Sequence, residues 1–382
     1  MFEQSVVDRG VPSRVRVEIN LNTIAENAAK IKQHVGSNCR LLAVMKANAY
    51  GLGVKSLARF LVDKGDVGGF GVAEMKEAME LLEFGLPIQV LGNLLPYEVE
   101  FAVRHELLIP LVSLEMAQII SREAGRQHKL ARCHIAIDSG MGRLGVLLNQ
   151  AREIIPQMVK LPNLKCVGIY SHFPCAYICR DQGSINQIDN MKKLIADLAH
   201  DGIHFEYCHM AASDAVSNYP ESFAAPFNQC RVGLNLYGYY DGGVEHSMQL
   251  NSAVELKTNL AAIRQLPAGT SIGYGRTYNM LLPGRVGVIA AGYADGLPLA
   301  LSNRGFVLIR GRFCPVIGRI SMDYTTVALD LVPDAEYGDE VTLIGRQKEN
   351  SIGLENWAQL KNTHAYDILC SFGSRVERIY LK

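Results

Sequence analysis

From Arg14 to about Gly238 the chain alternates short β-branched or apolar runs with longer amphipathic stretches, and this alternation restricts the possible folds more than any other feature. Candidate strands fall at 14–20, 40–47, 68–73, 88–93, 107–113, 133–139, 166–173, 209–213 and 232–238. Between them the spacing predicts helices at 23–35, 54–64, 74–84, 114–127, 150–160 and 185–201. In the first of these, Thr23 and Glu26 have the spacing of a capping box, while Ile24, Ala28, Ile31 and Val35 fall on one face. So many strand-helix units over this length fit a (β/α)8 TIM-type barrel better than an open doubly wound sheet, with one strand more than eight requires.

After Tyr240 helical periodicity gives way to strand-like runs, among them AVELKTNLAAIRQL, GRVGVIAAGY and DEVTLIG, with one helical segment at 354–361 and a closing ERIYLK strand. The expected organisation is therefore an α/β barrel over 14–240 followed by a mostly-β C-terminal domain over 241–382, with 1–13 attached to the latter. At 382 residues the chain has room for both cores.

Charge excludes some partners. Lys+Arg and Asp+Glu both number 38, so no global field draws in nucleic acid or an anionic membrane, and an anionic ligand must be held locally. No run approaches the roughly 18 apolar residues of a membrane span, and the N-terminus lacks a signal-peptide core, which suggests the cytoplasm. The nine cysteines are scattered without any C-x-x-C pair, so neither a structural metal site nor a disulfide framework is expected.

The segment LLAVMKANAYG puts Lys46 at the C-terminal end of an apolar strand, where barrels build their active sites. Desolvation there lowers an amine's pKa toward the range in which it attacks an aldehyde. A lysine at a strand end can equally be snorkelling to solvent, and Lys46 alone does not decide between the two.

Several segments together do. AVMKANAYG resembles the cofactor-lysine segment of bacterial alanine racemases, and the likeness runs over essentially the whole chain. The resemblance implies pyridoxal 5'-phosphate as cofactor, joined to Lys46 as a Schiff base, with Tyr50 at its phosphate. IDSGMGRLG supplies Arg143 for the cofactor's phenolic oxygen and for the substrate. IYSHF supplies His172 to support Arg231 of RVGLNLYG, which faces the pyridine nitrogen. Ser213 of HMAAS and the backbone N–H groups of Gly233 and Leu234 fall to the phosphate. SIGYGRTY assigns Tyr274 as the catalytic tyrosine, GYADG places Tyr293 on the substrate's access route, and GRISMD sets Met322 and Asp323 beside the substrate carboxylate. In the family these last residues serve the partner subunit's site, so a homodimer is implied.

The implied reaction is racemisation of a small amino acid, L-alanine to D-alanine, by two bases. Removing a Cα proton at neutral pH needs an electron sink, and inversion needs acid/base groups on both faces of Cα, here Lys46 and Tyr274. A tyrosine's ordinary pKa near 10 would have to fall to serve, through nearby positive charge such as Arg143. Arg231 cannot give up its proton readily, so the ring nitrogen stays unprotonated and charge spreads less completely, which suppresses side reactions. The rivals are a pyridoxal-phosphate amino-acid decarboxylase on the same two-domain plan and a non-catalytic carrier of the cofactor.

Four positions depart from the family pattern. Ala136 stands where many members have a lysine that orients the Arg143 equivalent, so an anion or a neighbouring polar group is expected to steady Arg143. Ala212 replaces an asparagine before the phosphate serine. Ser321 replaces a cysteine, with little consequence expected. Ser374 replaces a tyrosine beside the substrate, and the smaller side chain should enlarge the pocket enough to admit serine.

Overall fold

The computed structural model describes residues 11–241 and 247–382. They form two compact units, one of Asn22–Asn251 and one combining the chain up to Leu21 with Ser252–Lys382.

The first unit is a closed parallel barrel. Its strands are β1 Arg40–Val44, β2 Gly69–Val72, β3 Ile88–Val90, β4 Ile109–Leu111, β5 Ala131–Asp138, β6 Leu164–Tyr170, β7 Tyr207–His209 and β8 Gln229–Val232. Parallel ladders join β1 to β2, β2 to β3, β4 to β5, β5 to β6 and β6 to β7. Bridges Gln89–Leu108 and Ala212–Arg231 continue the ring, and β8 pairs with β1 to close it. Strands β2, β3, β4 and β8 are buried along their whole length, as strands covered on both faces must be.

Helices Val54–Lys64, Leu114–Arg126, Ala151–Val159 and Gln182–His200 lie where periodicity places them. Ser113 caps the second through Met116 N–H (3.1 Å), and Asp181 starts the fourth earlier than expected by accepting from Ser184 N–H (2.7 Å). The first helix is Leu21–Val35, so the Thr23 and Glu26 spacing lies inside it and marks no cap. Buried Asn27 accepts from Asn251 N–H (3.0 Å) and donates to the Asn251 and Leu236 carbonyls (2.8 and 3.1 Å), tying down the chain as it leaves the barrel.

The run expected as a strand at 232–238 gives only Val232 to β8 and continues as the helical turn Leu234–Tyr237, and the surplus strand is resolved by the second unit. Arg16–Asn20 is no barrel strand; it pairs antiparallel with Val254–Leu266 and parallel with Glu377–Leu381. Its alternating burial is the sign, because a barrel strand of this fold is buried on both faces whereas this one has a solvated face. The barrel start expected at residue 14 therefore shifts to Asn22. Of the leading residues grouped with the β domain, 1–10 lie outside the described residues, as do 242–246. Val254–Leu266 also pairs with Gly284–Ile289 and Glu340–Gln347, making it the spine of a nine-stranded sheet. Two helices join the sheet, Leu354–Lys361 as expected and a short one, Ala365–Cys370, that periodicity did not show.

Candidate active site

Each barrel residue singled out in the sequence lies at or just beyond the C-terminal end of a strand: Lys46 after β1, Arg143 after β5, His172 after β6, Ser213 after β7, Arg231 in β8 and Gly233 after it. That is the end at which barrel enzymes assemble their chemistry.

Lys46 opens an unusual turn. Ala47, Asn48, Ala49 and Tyr50 all have φ between 53° and 56°, one turn of left-handed helix closed by Gly51. L-residues resist this conformation by about 1–2 kcal/mol each, so neighbours must impose it. They do so through hydrogen bonds. Ala49 N–H donates to Met45 O (2.9 Å), Gly51 N–H to Ala47 O (2.7 Å) and Val54 N–H to Asn48 Oδ1 (2.8 Å). The Glu77 carboxylate accepts from Ala47 N–H (2.6 Å) and from Ala73 N–H (2.7 Å), joining the Lys46 segment to the loop after β2.

Arg231 is buried and held from several sides. It donates to His209 Nδ1 (2.6 Å), Ser171 O (2.8 Å), Met210 O (3.1 Å) and His172 Nδ1 (3.3 Å), with its guanidinium 5.5 Å from the centre of the Tyr170 ring. Because His209 Nδ1 accepts, His209 Nε2–H donates to His134 Nδ1 (3.0 Å). Burial, then Arg132, Arg40 and Arg231, hold His134 down at about 3, and burial with Arg231 and His134 puts His209 well below its ordinary value. His172 is likewise lowered to about 3, by burial first and then by the charges of Arg231, Arg143 and Lys46. All three imidazoles are neutral at pH 7. Burial brings Arg231 down to about 10, which still leaves it protonated.

Arg231 donates to His172, and Arg143 bounds the same small cavity as His172, so positive charge gathers there, an electrostatic setting that suits an anionic ligand. Nearby, Ser213 Oγ accepts from the Gly233 and Asn235 N–H groups (3.1 and 3.4 Å), which leaves its own proton to donate. Gly233 N–H is therefore engaged by Ser213. Leu234 opens the short helical turn Leu234–Tyr237, where first N–H groups have no intrahelical acceptor. A Cβ on Gly233 would stand 2.2 Å from Tyr50 Oη, so the missing side chain is what lets the phenol reach this cradle. A phosphate fits hydroxyls and N–H groups so arranged, with Lys46 at the same strand-end face for an aldehyde.

Arg143 is steadied through its backbone. Asp138 accepts from the N–H groups of Gly140, Met141, Gly142 and Arg143 at 2.9–3.0 Å. Desolvation alone would raise the Asp138 pKa, but these four bonds outweigh it and hold the carboxyl below its usual range. The Arg143 side chain is exposed, and beside Ala136 a cavity of about 30 Å³ is bounded by Arg143, Tyr170 and His172.

In the other unit, Tyr274 sits at the tip of a hairpin that pairs Ser271–Ile272 with Tyr278–Asn279. Gly273 has φ 71° and ψ −178°, a conformation essentially confined to glycine. Ile272 and Met280 anchor the hairpin in a cluster with Leu266, Val286 and Ile317, leaving Tyr274 72% exposed. Tyr293 and Met322 are exposed on neighbouring loops, and Asp323 is half-exposed. Ser321, expected to matter little, closes the second loop: its hydroxyl accepts from Tyr324 N–H (3.1 Å) and donates to Tyr324 O (2.7 Å).

Sequence reasoning missed Glu77, Asp138, His134 and His209. Only Asp138 carried a local signal, a carboxylate just ahead of a glycine-rich turn; the others act through tertiary contacts.

A closed barrel with a strand-end lysine and phosphate cradle, followed by a separate β unit with an exposed tyrosine hairpin, defines a two-domain enzyme built around an aldehyde cofactor. The comparisons narrow the class. Residues 19–241 match the alanine racemase N-terminal domain and residues 253–380 the alanine racemase C-terminal domain. An alanine racemase of Clostridium novyi is 33% identical over 374 residues, covering 96% of this chain and 95% of that one. The structure of alanine racemase from D-cycloserine-producing Streptomyces lavendulae superposes with a TM-score of 0.90 at 30% identity over 98% of both chains. That of Bartonella henselae, with covalently bound pyridoxal phosphate, superposes at 0.87 and 28% identity over 97% of this chain and all of the other. The chain belongs to the alanine racemase family, pyridoxal-phosphate-dependent amino-acid racemases.

Proposed function

We propose that this protein interconverts L- and D-alanine with pyridoxal 5'-phosphate held on Lys46, and that Lys46 and Tyr274 act on opposite faces of the substrate carbon. When bound, the cofactor supplies the electron sink that makes the Cα proton removable at neutral pH. The observation that carries the reading is the placement of Lys46, Arg143, His172, Ser213 and Arg231 at the strand-end face of one barrel, in a chain of this family. Tyr50, Ser213 and the N–H of Leu234 would hold the phosphate. Arg231 would face the ring nitrogen as a hydrogen-bond donor, its charge kept by a pKa of about 10 and its position by His209, His172 and two carbonyls. Arg143 would face the phenolic oxygen and substrate.

Tyr274, Tyr293, Met322 and Asp323 belong to the partner subunit's site in this reading, which makes the working form a homodimer. The exposure of the Tyr274 side chain at its hairpin tip accords with that reading. Among the described residues no helix is long and apolar enough to cross a membrane, and we place the enzyme in the cytoplasm.

The test is direct. Purified protein is incubated with single L-amino acids and the D-enantiomer measured, with Lys46→Ala and Tyr274→Phe beside the wild type. D-alanine from the wild type and its loss in both variants is expected. Carbon dioxide in place of the enantiomer, or full activity in either variant, overturns the proposal.

A further inference from the structure

Three backbone segments of the β unit meet at one point: the turn Gly292–Gly296, the loop Ser321–Asp323 and the approach to the last strand, Ser371–Arg375. The approach is backbone to backbone. Tyr293 N–H donates to Ser321 O (3.0 Å) and Ala294 N–H to Met322 O (3.1 Å). A Cβ on Gly292 would lie 2.3 Å from both Ser321 O and Met322 O, and one on Gly373 would lie 2.3 Å from Ala294 O.

One side chain crosses all three. Arg375 binds Asp295 through two parallel bonds (2.7 and 3.0 Å), Asp323 through a third nitrogen (2.7 Å) and Met322 O at 3.3 Å. The Asp295 carboxylate is 5% exposed and also accepts from Gly292 N–H (2.9 Å), which fixes the turn carrying Tyr293. A planar guanidinium can give one carboxylate two parallel bonds while a third nitrogen serves another; an ammonium can bridge two carboxylates but lacks that fork.

We propose that Arg375 is the positioning and charge-balancing residue of the substrate-binding loops, setting where Tyr293, Met322 and Asp323 stand and offsetting the negative charge of Asp323. The inference rests on the reading of those three residues as facing the substrate. An amino acid brings its own carboxylate, so an unbalanced Asp323 beside it would repel the ligand the site must hold. Arg375 therefore acts chiefly on substrate affinity and leaves the cofactor on Lys46 undisturbed.

The experiment compares wild type, Arg375→Lys, Arg375→Met, Asp323→Asn and the double variant Arg375→Met/Asp323→Asn as holoenzymes. Alanine KM and kcat, the absorbance of lysine-bound cofactor and the melting temperature are measured in each. For Arg375→Met, KM should rise roughly tenfold or more with kcat within roughly threefold, the pattern of an enzyme that has lost ground-state hold on its substrate. Cofactor absorbance should be unchanged. Arg375→Lys should fall between, and the double variant should recover roughly threefold in KM, the effect expected of one half-exposed charge. An unchanged KM in Arg375→Met overturns the inference. So does loss of kcat and melting temperature with no recovery on removing Asp323, because that is merely structural damage. If Arg375→Met does not fold, Arg375→Lys and the double variant carry the same test. Should the wild type fail to interconvert alanine enantiomers, it is the functional reading that falls.

Discussion

The left-handed turn after Lys46 can be tested through one methyl group. Ala47 is exposed, its φ is 53°, and it hydrogen-bonds through its backbone, so substitution there changes conformational preference while leaving those bonds available. Glycine should relieve about 1–2 kcal/mol of left-handed strain. Against that stands about 0.5–1 kcal/mol for the greater freedom glycine loses on folding. The net is a gain of about 0.5–1 kcal/mol. Valine, branched at Cβ, is a true outlier at this φ and should cost about 1–3 kcal/mol. At roughly 2–4 °C per kcal/mol for a unit of this size, Ala47→Gly should melt about 2 °C higher and Ala47→Val several degrees lower. Melting is followed by circular dichroism at saturating cofactor, so that ligand linkage contributes equally. Cofactor should leave Ala47→Gly faster, because strain relief loosens the segment that aims Lys46. A melting order in which valine equals or exceeds alanine, or glycine falls below it, would show that the turn stores no strain.

The Gly233→Ala variant should bind cofactor roughly tenfold more weakly or worse in a fluorescence titration, since its Cβ would overlap Tyr50 Oη at 2.2 Å; unchanged affinity would mean the phenol is not held in the cradle. Folded His134 and His172 titrate at about 3 against about 6.5 unfolded, so the unfolded chain binds more protons between those values; stability should fall as pH drops below about 6.5 and be flat above it, and a urea midpoint constant from pH 6.5 to 5 would contradict this. L-serine should be turned over appreciably beside L-alanine, and Ser374→Tyr should lower the serine-to-alanine ratio; a strict alanine preference in both proteins would refute a pocket enlarged at Ser374.

The sequence showed the barrel because each strand-helix unit writes its own period locally. It misassigned Arg16–Asn20 because the partners of that strand, Val254–Leu266 and Glu377–Leu381, lie more than 200 residues away, and nothing nearby separates a first barrel strand from a strand of another sheet. Lys46, Tyr50, Arg143 and Arg231 could be proposed from the sequence because each sits in a recognisable string. Glu77, His134 and Arg375 could not, since their roles exist only once loops from different strands meet. The left-handed turn was hidden for a further reason: AN-AY contains no glycine, and the usual mark of positive φ is absent until Gly51.

Ala136 shows how a missing side chain is replaced by backbone. A lysine there would orient Arg143 by touching its side chain; this chain instead fixes the ends of the loop on which Arg143 rides. Asp138, two residues beyond Ala136 on the same strand, collects four consecutive N–H groups and ends with that of Arg143 itself. Gly145, at φ 119°, returns the loop so closely that a Cβ would lie 2.8 Å from Ala136 O and from Asp138 N. The anion or polar neighbour expected from the sequence is therefore not required to hold the loop, although the side chain keeps more freedom than a lysine would allow. Asp138→Asn follows as the sharper perturbation: an amide presents one acceptor oxygen where the carboxylate presents two, so the loop should loosen by about 1–3 kcal/mol and alanine turnover should fall. Asp138→Asn with wild-type kcat and KM would mean that Arg143 is aimed by something other than its backbone.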